Sequence, residues 1–167
     1  MLKISLKWAQ FQLDEVNYLI ALNNNKIVYL NMGANAFDDF SSFLKVNNFE
    51  ANEDQSLEAF GINKINDYFN HFNLISLDDL ELYGTPFQIK VWKTLFSVSR
   101  NKLLTYQELA FLVNQPLANR AVGTALKNNP ILIFIPCHLV ISKSGMINYK
   151  AGPELKVFVQ SKEKLTF

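Results

Sequence analysis

Residues 105–140 read TYQELAFLVNQPLANRAVGTALKNNPILIFIPCHLV, and this stretch decides the fold. Thr105 and Glu108 stand at capping-box spacing, where the hydroxyl and the carboxylate each satisfy a backbone N–H left unpaired at a helix start. A helix follows through Leu109, Ala110, Leu112 and Val113. After a short turn, Gln115-Pro116 opens a second helix over about 117–127. Asn129-Pro130 ends it, because proline disfavours helical geometry in the residue before it. Two helices joined by so short a turn suggest a helix-turn-helix. The apolar residues 131–135 then read as a buried strand that delivers the chain's single cysteine, Cys137, between Pro136 and His138.

At about 100° per residue, the second helix clusters Ala118, Ala121, Val122 and Ala125 on one face and Arg120, Gly123, Thr124 and Lys127 on the other. The outward face is small, polar and cationic. Gly123 costs about 1 kcal/mol relative to alanine inside a helix, so it marks a close approach by another helix or by a nucleic-acid backbone. Cys137 also has two readings. Free cysteine is often buried and inert, whereas a lone thiol at a strand end beside one of only two histidines is a candidate nucleophile.

With 49% hydrophobic residues over 167 positions, the chain can bury a core as one domain or two small ones. One cysteine excludes an internal disulfide and a cysteine-rich zinc site. His71 is the only cysteine or histidine before residue 84, so neither a metal nor a cofactor is expected. The N-terminus lacks the apolar stretch of a secretory signal and no run reaches transmembrane length, which predicts a cytoplasmic protein with no membrane partner. Residues 1–83 carry 5 lysines against 12 carboxylates and residues 84–167 carry 11 cations against 3, so a formal net charge of +1 hides halves of −7 and +8. Such asymmetry points to two units, with either a polyanionic partner for the second or attraction between the halves.

In the first half, extended segments over 8–13, 18–22 and 26–30, with a turn at Asn23-Asn24-Asn25, read as antiparallel strands. Helices are expected over 35–44, with Phe37, Phe40 and Leu44 inward, and over 57–72, with Phe60, Ile65, Tyr68, Phe69 and Phe72 mainly at helical spacing. The acidic connector 73–83 suggests domains 1–80 and 81–167. Beyond it, Thr85 caps and Pro86 opens a helix whose apolar side is Phe87, Val91, Trp92 and Leu95. The expected fold class is α+β: a small N-terminal antiparallel-sheet and helix domain, then a mainly helical C-terminal domain with a helix-turn-helix and a short active-site strand.

From Phe87 onward the landmarks fall in one order: Phe87-Gln88 with Val91-Trp92, Thr105-Tyr106 with Leu109-Ala110, Arg120-Ala121-Val122-Gly123, Asn129-Pro130, Ile135-Pro136-Cys137-His138 and Asn148-Tyr149. This order resembles the O6-alkylguanine-DNA alkyltransferases, the methylated-DNA–protein-cysteine methyltransferases. The resemblance implies DNA repair by irreversible, stoichiometric transfer of an alkyl group from O6-alkylguanine, or from O4-alkylthymine, to Cys137. It also implies a monomer acting on double-stranded DNA through the minor groove.

The resemblance further implies roles for particular residues. His138 takes the Cys137 proton through a water, because neighbouring side chains of an extended segment point to opposite faces. Glu163 orients His138, with Glu154 the less favoured candidate. Asn129 orders the hinge between recognition helix and active-site strand, and Tyr106 contacts a phosphate and protonates the leaving base. Arg120 inserts into the base stack as the lesion is flipped out. Gly123 permits close approach, and Gln107, Gln115, Lys127 and Lys143 support backbone contacts. Val140, Tyr149, Lys150 and Ala151, with the backbone of 143–145, line the base pocket.

Two positions depart from the family pattern: Leu139 stands where arginine is usual, and Ala151 where glycine is frequent. The second suggests a preference for small alkyl groups over benzyl-sized ones. The alternative function is a non-catalytic alkyltransferase-like protein that recognises the lesion, from which Cys137 argues away.

Overall fold

The computed structural model describes residues 2–71, 75–98, 100, 102–146 and 148–163. Phe72, expected on the apolar face of a helix, lies outside them. The chain divides into two compact units, Met1–Tyr83 and Gly84–Phe167, and the fold is α+β. No helix among the described residues is long and apolar enough to cross a membrane.

In the first unit, strands β1 (Ser5–Leu13), β2 (Val16–Asn23) and β3 (Lys26–Met32) form an antiparallel meander. Asp14 and Glu15, with φ of 51° and 64°, make the β1–β2 turn, a left-handed pair that suits the twist of a two-residue hairpin. Helix α1 (Ala36–Asn47) precedes β4 (Glu50–Glu53), which pairs parallel to β1, giving the order β3-β2-β1-β4. That parallel edge strand is absent from the sequence reading.

The sheet buries both faces. Leu6, Leu19, Ala21 and Tyr29 pack with Phe40 of α1, while Phe11 and Ile20 meet helix α2 (Leu57–His71). A Cβ at Gly61 would lie 2.5 Å from the Phe11 ring, so glycine lets α2 press against β1. Phe40 is buried as expected, but Phe37 is 44% exposed and only edges onto Trp8, 5.5 Å between ring centroids.

The second unit opens with α3 (Pro86–Phe96), started by a capping box between Thr85 and Gln88. Its Val91, Trp92 and Leu95 are buried, and Trp92 Nε1 donates 2.8 Å to the Ala125 carbonyl. Strand β5 (Leu104–Thr105) runs directly into α4 (Tyr106–Leu112), so Thr105 both ends a strand and caps a helix. Helix α5 (Asn119–Lys127) completes the helix-turn-helix. It starts later than the predicted 117, and Leu117 is 98% exposed in the turn.

Residues 131–135 are fully buried but do not form the expected strand. Phe134 N–H bonds the Leu132 carbonyl at 2.8 Å, bracketing Ile133 at φ 72°. This tight γ-type turn strains a β-branched residue. The short strand is β6 (Val140–Ile141), which pairs parallel with β5 through Leu104↔Val140 and Thr105↔Ile141. Helix α6 (Pro153–Lys162) closes the unit.

Candidate active site

The β5–β6 pairing fixes the start of α4, and with it Tyr106, against the segment that leaves Cys137. Residues Cys137–Leu139 form a single 3-10 turn. Pro136, at φ −83° and ψ 61°, bends the chain into it, and Cys137 N–H bonds the Ile135 carbonyl at 2.8 Å. Cys137 and His138 therefore do not alternate across an extended strand, which corrects the premise drawn from sequence. Leu139 is fully buried, so the position where arginine is usual in the family is apolar here.

Asn129 ends the region of α5 and spends its whole amide on this turn. Its Nδ2 donates to Cys137 Sγ at 3.2 Å and to the Ile135 carbonyl at 3.1 Å, while Oδ1 accepts the Ile131 N–H at 3.0 Å. The amide has two donors and is completely buried, so each contact answers a need that no solvent can meet. The Asn129 carbonyl accepts from Lys150 Nζ at 3.1 Å. One residue thus ties the helix end, the strained turn and the thiol together.

His138 is fully buried, and its Nε2 lies 2.8 Å from Oε2 of Glu163, whose side chain is buried too. A carboxylate at Nε2 favours the tautomer with its proton there, leaving Nδ1 as the basic nitrogen. Nδ1 is buried without a hydrogen-bond partner among the described residues. Gln160 Nε2 donates 2.7 Å to the His138 carbonyl and fixes the turn from behind. Glu154, the other carboxylate considered, is exposed in the first turn of α6.

Burial holds the Cys137 thiol above its ordinary value, against the Asn129 hydrogen bond and the positive charges of Lys156 and Lys150. Lys156, on α6, is buried, and desolvation pulls its ammonium below the usual lysine range. Neither Lys156 nor Gln160 was singled out from sequence. Their signal is nonetheless there: positions 156, 159, 160 and 163 share one helical face with buried Val159.

Of the remaining site candidates, Lys150 reaches this cluster through the Asn129 carbonyl and Val140 through the Lys156 ammonium. Arg120, Thr124 and Lys127 lie on the exposed side of α5, with Gly123 half-buried beside them. Buried Val122, Ala125 and Leu126 form the inner side, and Ala121, expected inward, is exposed. A Cβ at Gly123 would come no nearer than 3.8 Å, to Tyr106, which is ordinary contact. Packing within the unit therefore does not require glycine there. Gln107 and Lys143 are exposed and bonded to each other, Nζ to Oε1 at 2.6 Å. Gln115 is exposed in the turn, Val140 is buried, and Tyr106, Tyr149, Lys150 and Ala151 are half-buried. No group of three or more candidate metal ligands occurs among the described residues.

A family model described as 6-O-methylguanine DNA methyltransferase, DNA binding domain, matches residues 86–165. Over 99 residues the chain is 41% identical to a probable methylated-DNA–protein-cysteine methyltransferase of Acanthamoeba polyphaga mimivirus, covering 59% of this chain and 62% of the relative. It is 28% identical over 166 residues to the inducible methylated-DNA–protein-cysteine methyltransferase of Bacillus subtilis, covering 97% of this chain and 92% of the relative. The crystal structure of Mycobacterium tuberculosis O6-methylguanine methyltransferase superposes with a TM-score of 0.76 at 28% identity, covering 95% of this chain and 93% of that one. The likeness runs through nearly the whole of the two bacterial proteins, so the chain is similar along both units to the O6-alkylguanine-DNA alkyltransferases, the methylated-DNA–protein-cysteine methyltransferases.

Proposed function

We propose that the chain repairs DNA by accepting the alkyl group of O6-alkylguanine onto Cys137 in a single irreversible transfer. The observation that carries this reading is the Asn129 amide donating to Cys137 Sγ beside a buried His138–Glu163 pair. A hydrogen-bond donor aimed at sulfur favours the thiolate, and a carboxylate-oriented imidazole is a base suited to removing the thiol proton. Neither feature serves an inert packing cysteine.

The reaction follows from these groups. His138 Nδ1 takes the thiol proton through a bridging water, and the sulfur lone pair attacks the alkyl carbon. An S–C bond forms as the C–O6 bond breaks, and the bonding pair stays on the base. Tyr106 supplies a proton to the departing base and regains one from solvent, so guanine leaves intact. The thioether has no route back to a thiol, and each molecule acts once.

A base stacked within a duplex is out of reach of a buried thiol, so the lesion must be flipped out at a cost of about a few kcal/mol. Arg120 on the outer side of α5 is the residue to fill the stack. The small side chains around it allow the helix into the minor groove, whose degenerate code suits a protein that must find damage in any sequence. Gln107, Gln115, Lys127 and Lys143 support the backbone contacts, and Val140, Tyr149, Lys150 and Ala151 the pocket. The protein works as a cytoplasmic monomer.

The test is a duplex carrying O6-methylguanine mixed with the protein, followed by intact-mass and peptide analysis. One methyl on Cys137, restored guanine and no turnover beyond one equivalent is the expected result. Unmodified protein that still binds the lesion would replace this reading with a non-catalytic recognition module.

A further inference from the structure

Lys156 is a buried cation that the reaction above does not use. It is 2% exposed, and among the described residues it has no carboxylate within ion-pair distance. Its Nζ donates instead to two backbone carbonyls, Val140 at 2.5 Å and Asn148 at 3.0 Å. The first carbonyl belongs to the residue that follows the Cys137–Leu139 turn, and the second precedes Tyr149 of the pocket. Carbonyls solvate an ammonium but do not neutralise it, and an uncompensated buried charge is costly. The side chain is also long and flexible, so fixing it in one place costs rotamer entropy as well. Some gain must offset both costs.

We propose that Lys156 is a positioning residue for alkyl transfer, binding the Cys137 turn to the pocket segment while serving as the fixed cation whose counter-ion is the Cys137 thiolate. This rests on the reading of Cys137 as alkyl acceptor. The Asn129 amide bonds the sulfur directly, and the half-buried Lys150 lies on the Asn129 carbonyl behind it. The charges of Lys156 and Lys150 both favour ionised sulfur, and Cys137 in turn favours the charged form of Lys156. Lys150 is half open to solvent and reaches the hinge carbonyl of Asn129, so its charge is screened and its place is less fixed. Lys156 has neither freedom. It supplies positive charge before the substrate arrives, and the carbonyls it holds keep the sulfur and the pocket wall at one spacing.

Lys156→Met removes the charge and both carbonyl bonds together, so the two roles are separated by a second measurement that leaves Lys156 in place. Lys156→Met keeps the bulk and removes the charge. In DNA-free protein its thiolate absorbance, taken against Cys137→Ser as blank, is expected to titrate about one pH unit higher than wild type. Single-turnover methyl transfer at neutral pH should fall about threefold or more, since greater intrinsic nucleophilicity recovers part of the lost thiolate. Lys156→Arg should keep the thiol midpoint near wild type even where it packs poorly.

The converse measurement needs no change at Lys156. In Cys137→Ser protein, and in wild type methylated at Cys137, the Lys156 ammonium signal in NMR should titrate about one pH unit lower than in unmodified protein. An unchanged thiol midpoint in Lys156→Met, or an unchanged ammonium midpoint in Cys137→Ser, would overturn the proposal. Wild-type protein that shows both couplings but transfers no methyl from O6-methylguanine DNA would overturn the proposed function and leave the ion pair standing.

Discussion

The outer side of α5 and the cluster around Cys137 lie at two ends of one short segment, yet they treat polar atoms in opposite ways. Arg120, Thr124 and Lys127 face solvent, and the space at Gly123 is closed by nothing nearer than ordinary contact. Asn129, two residues beyond the helix, spends every hydrogen-bonding atom of its side chain inside the protein. The first surface is left for a partner to complete. The second is completed within the protein itself, by bonds among Asn129, Ile131, Ile135 and Cys137.

The largest effect is expected at the buried end. Glu163→Gln removes the carboxylate 2.8 Å from His138 Nε2, whose charge favours a proton there and so, on the proposed reading, the basic Nδ1. Single-turnover transfer should drop by about 10²-fold, with lesion affinity unchanged when read by fluorescence anisotropy. A rate within a few-fold of wild type would mean that the pair is structural.

Asn129→Ala should destabilise by about 1–3 kcal/mol in denaturant unfolding, since it strands the buried Ile131 N–H and leaves the Ile135 carbonyl only its bond from Cys137 N–H. Its thiol should also titrate higher than wild type. Gly123→Ala tests the other end and should have the opposite sign on stability. Unfolding should become harder by up to about 1 kcal/mol, because the structure leaves room for a methyl and alanine favours helix. DNA affinity should nonetheless fall several-fold. A variant that gains stability and keeps its affinity would break the contrast between the two regions.

The smallest effect concerns the start of α4, between them. Hydrogen bonds from Thr105 hold the Glu108 carboxyl below its ordinary value. A depressed folded-state value contributes stability that is present above the unfolded value near 4.3 and is lost as pH falls through the folded one. Glu108 is exposed, so solvent limits this to about 0.5 kcal/mol or less. The difference in melting temperature between wild type and Glu108→Gln should shrink from pH 6 to pH 3.

What could be read from sequence was local. Thr85 with Gln88 and Thr105 with Glu108 announce their helices because a capping box involves only four consecutive residues. Glu50–Glu53 announces nothing: its side chains lack an apolar alternation, and it is a strand only because the edge of β1 receives it. The run 131–135 misleads for a related reason, since a short apolar segment marks burial without marking conformation. Asn129, Cys137 and His138 are close enough in sequence to suggest one site. Lys156 and Gln160 join them only through the packing of α6, and a lysine on a helix is ordinarily taken for surface.

Under the proposed single transfer, the working life of each molecule is measured in storage time. Cys137 is 5% exposed and its thiol is held above the ordinary range. Oxidants and stray electrophiles react with accessible thiolate far faster than with buried thiol. The burial of Cys137 keeps the sulfur from being spent on peroxide or a metabolite. On the proposed reading, the useful count of this protein is the number of copies still unfired, and the burial of Cys137 preserves that count between lesions.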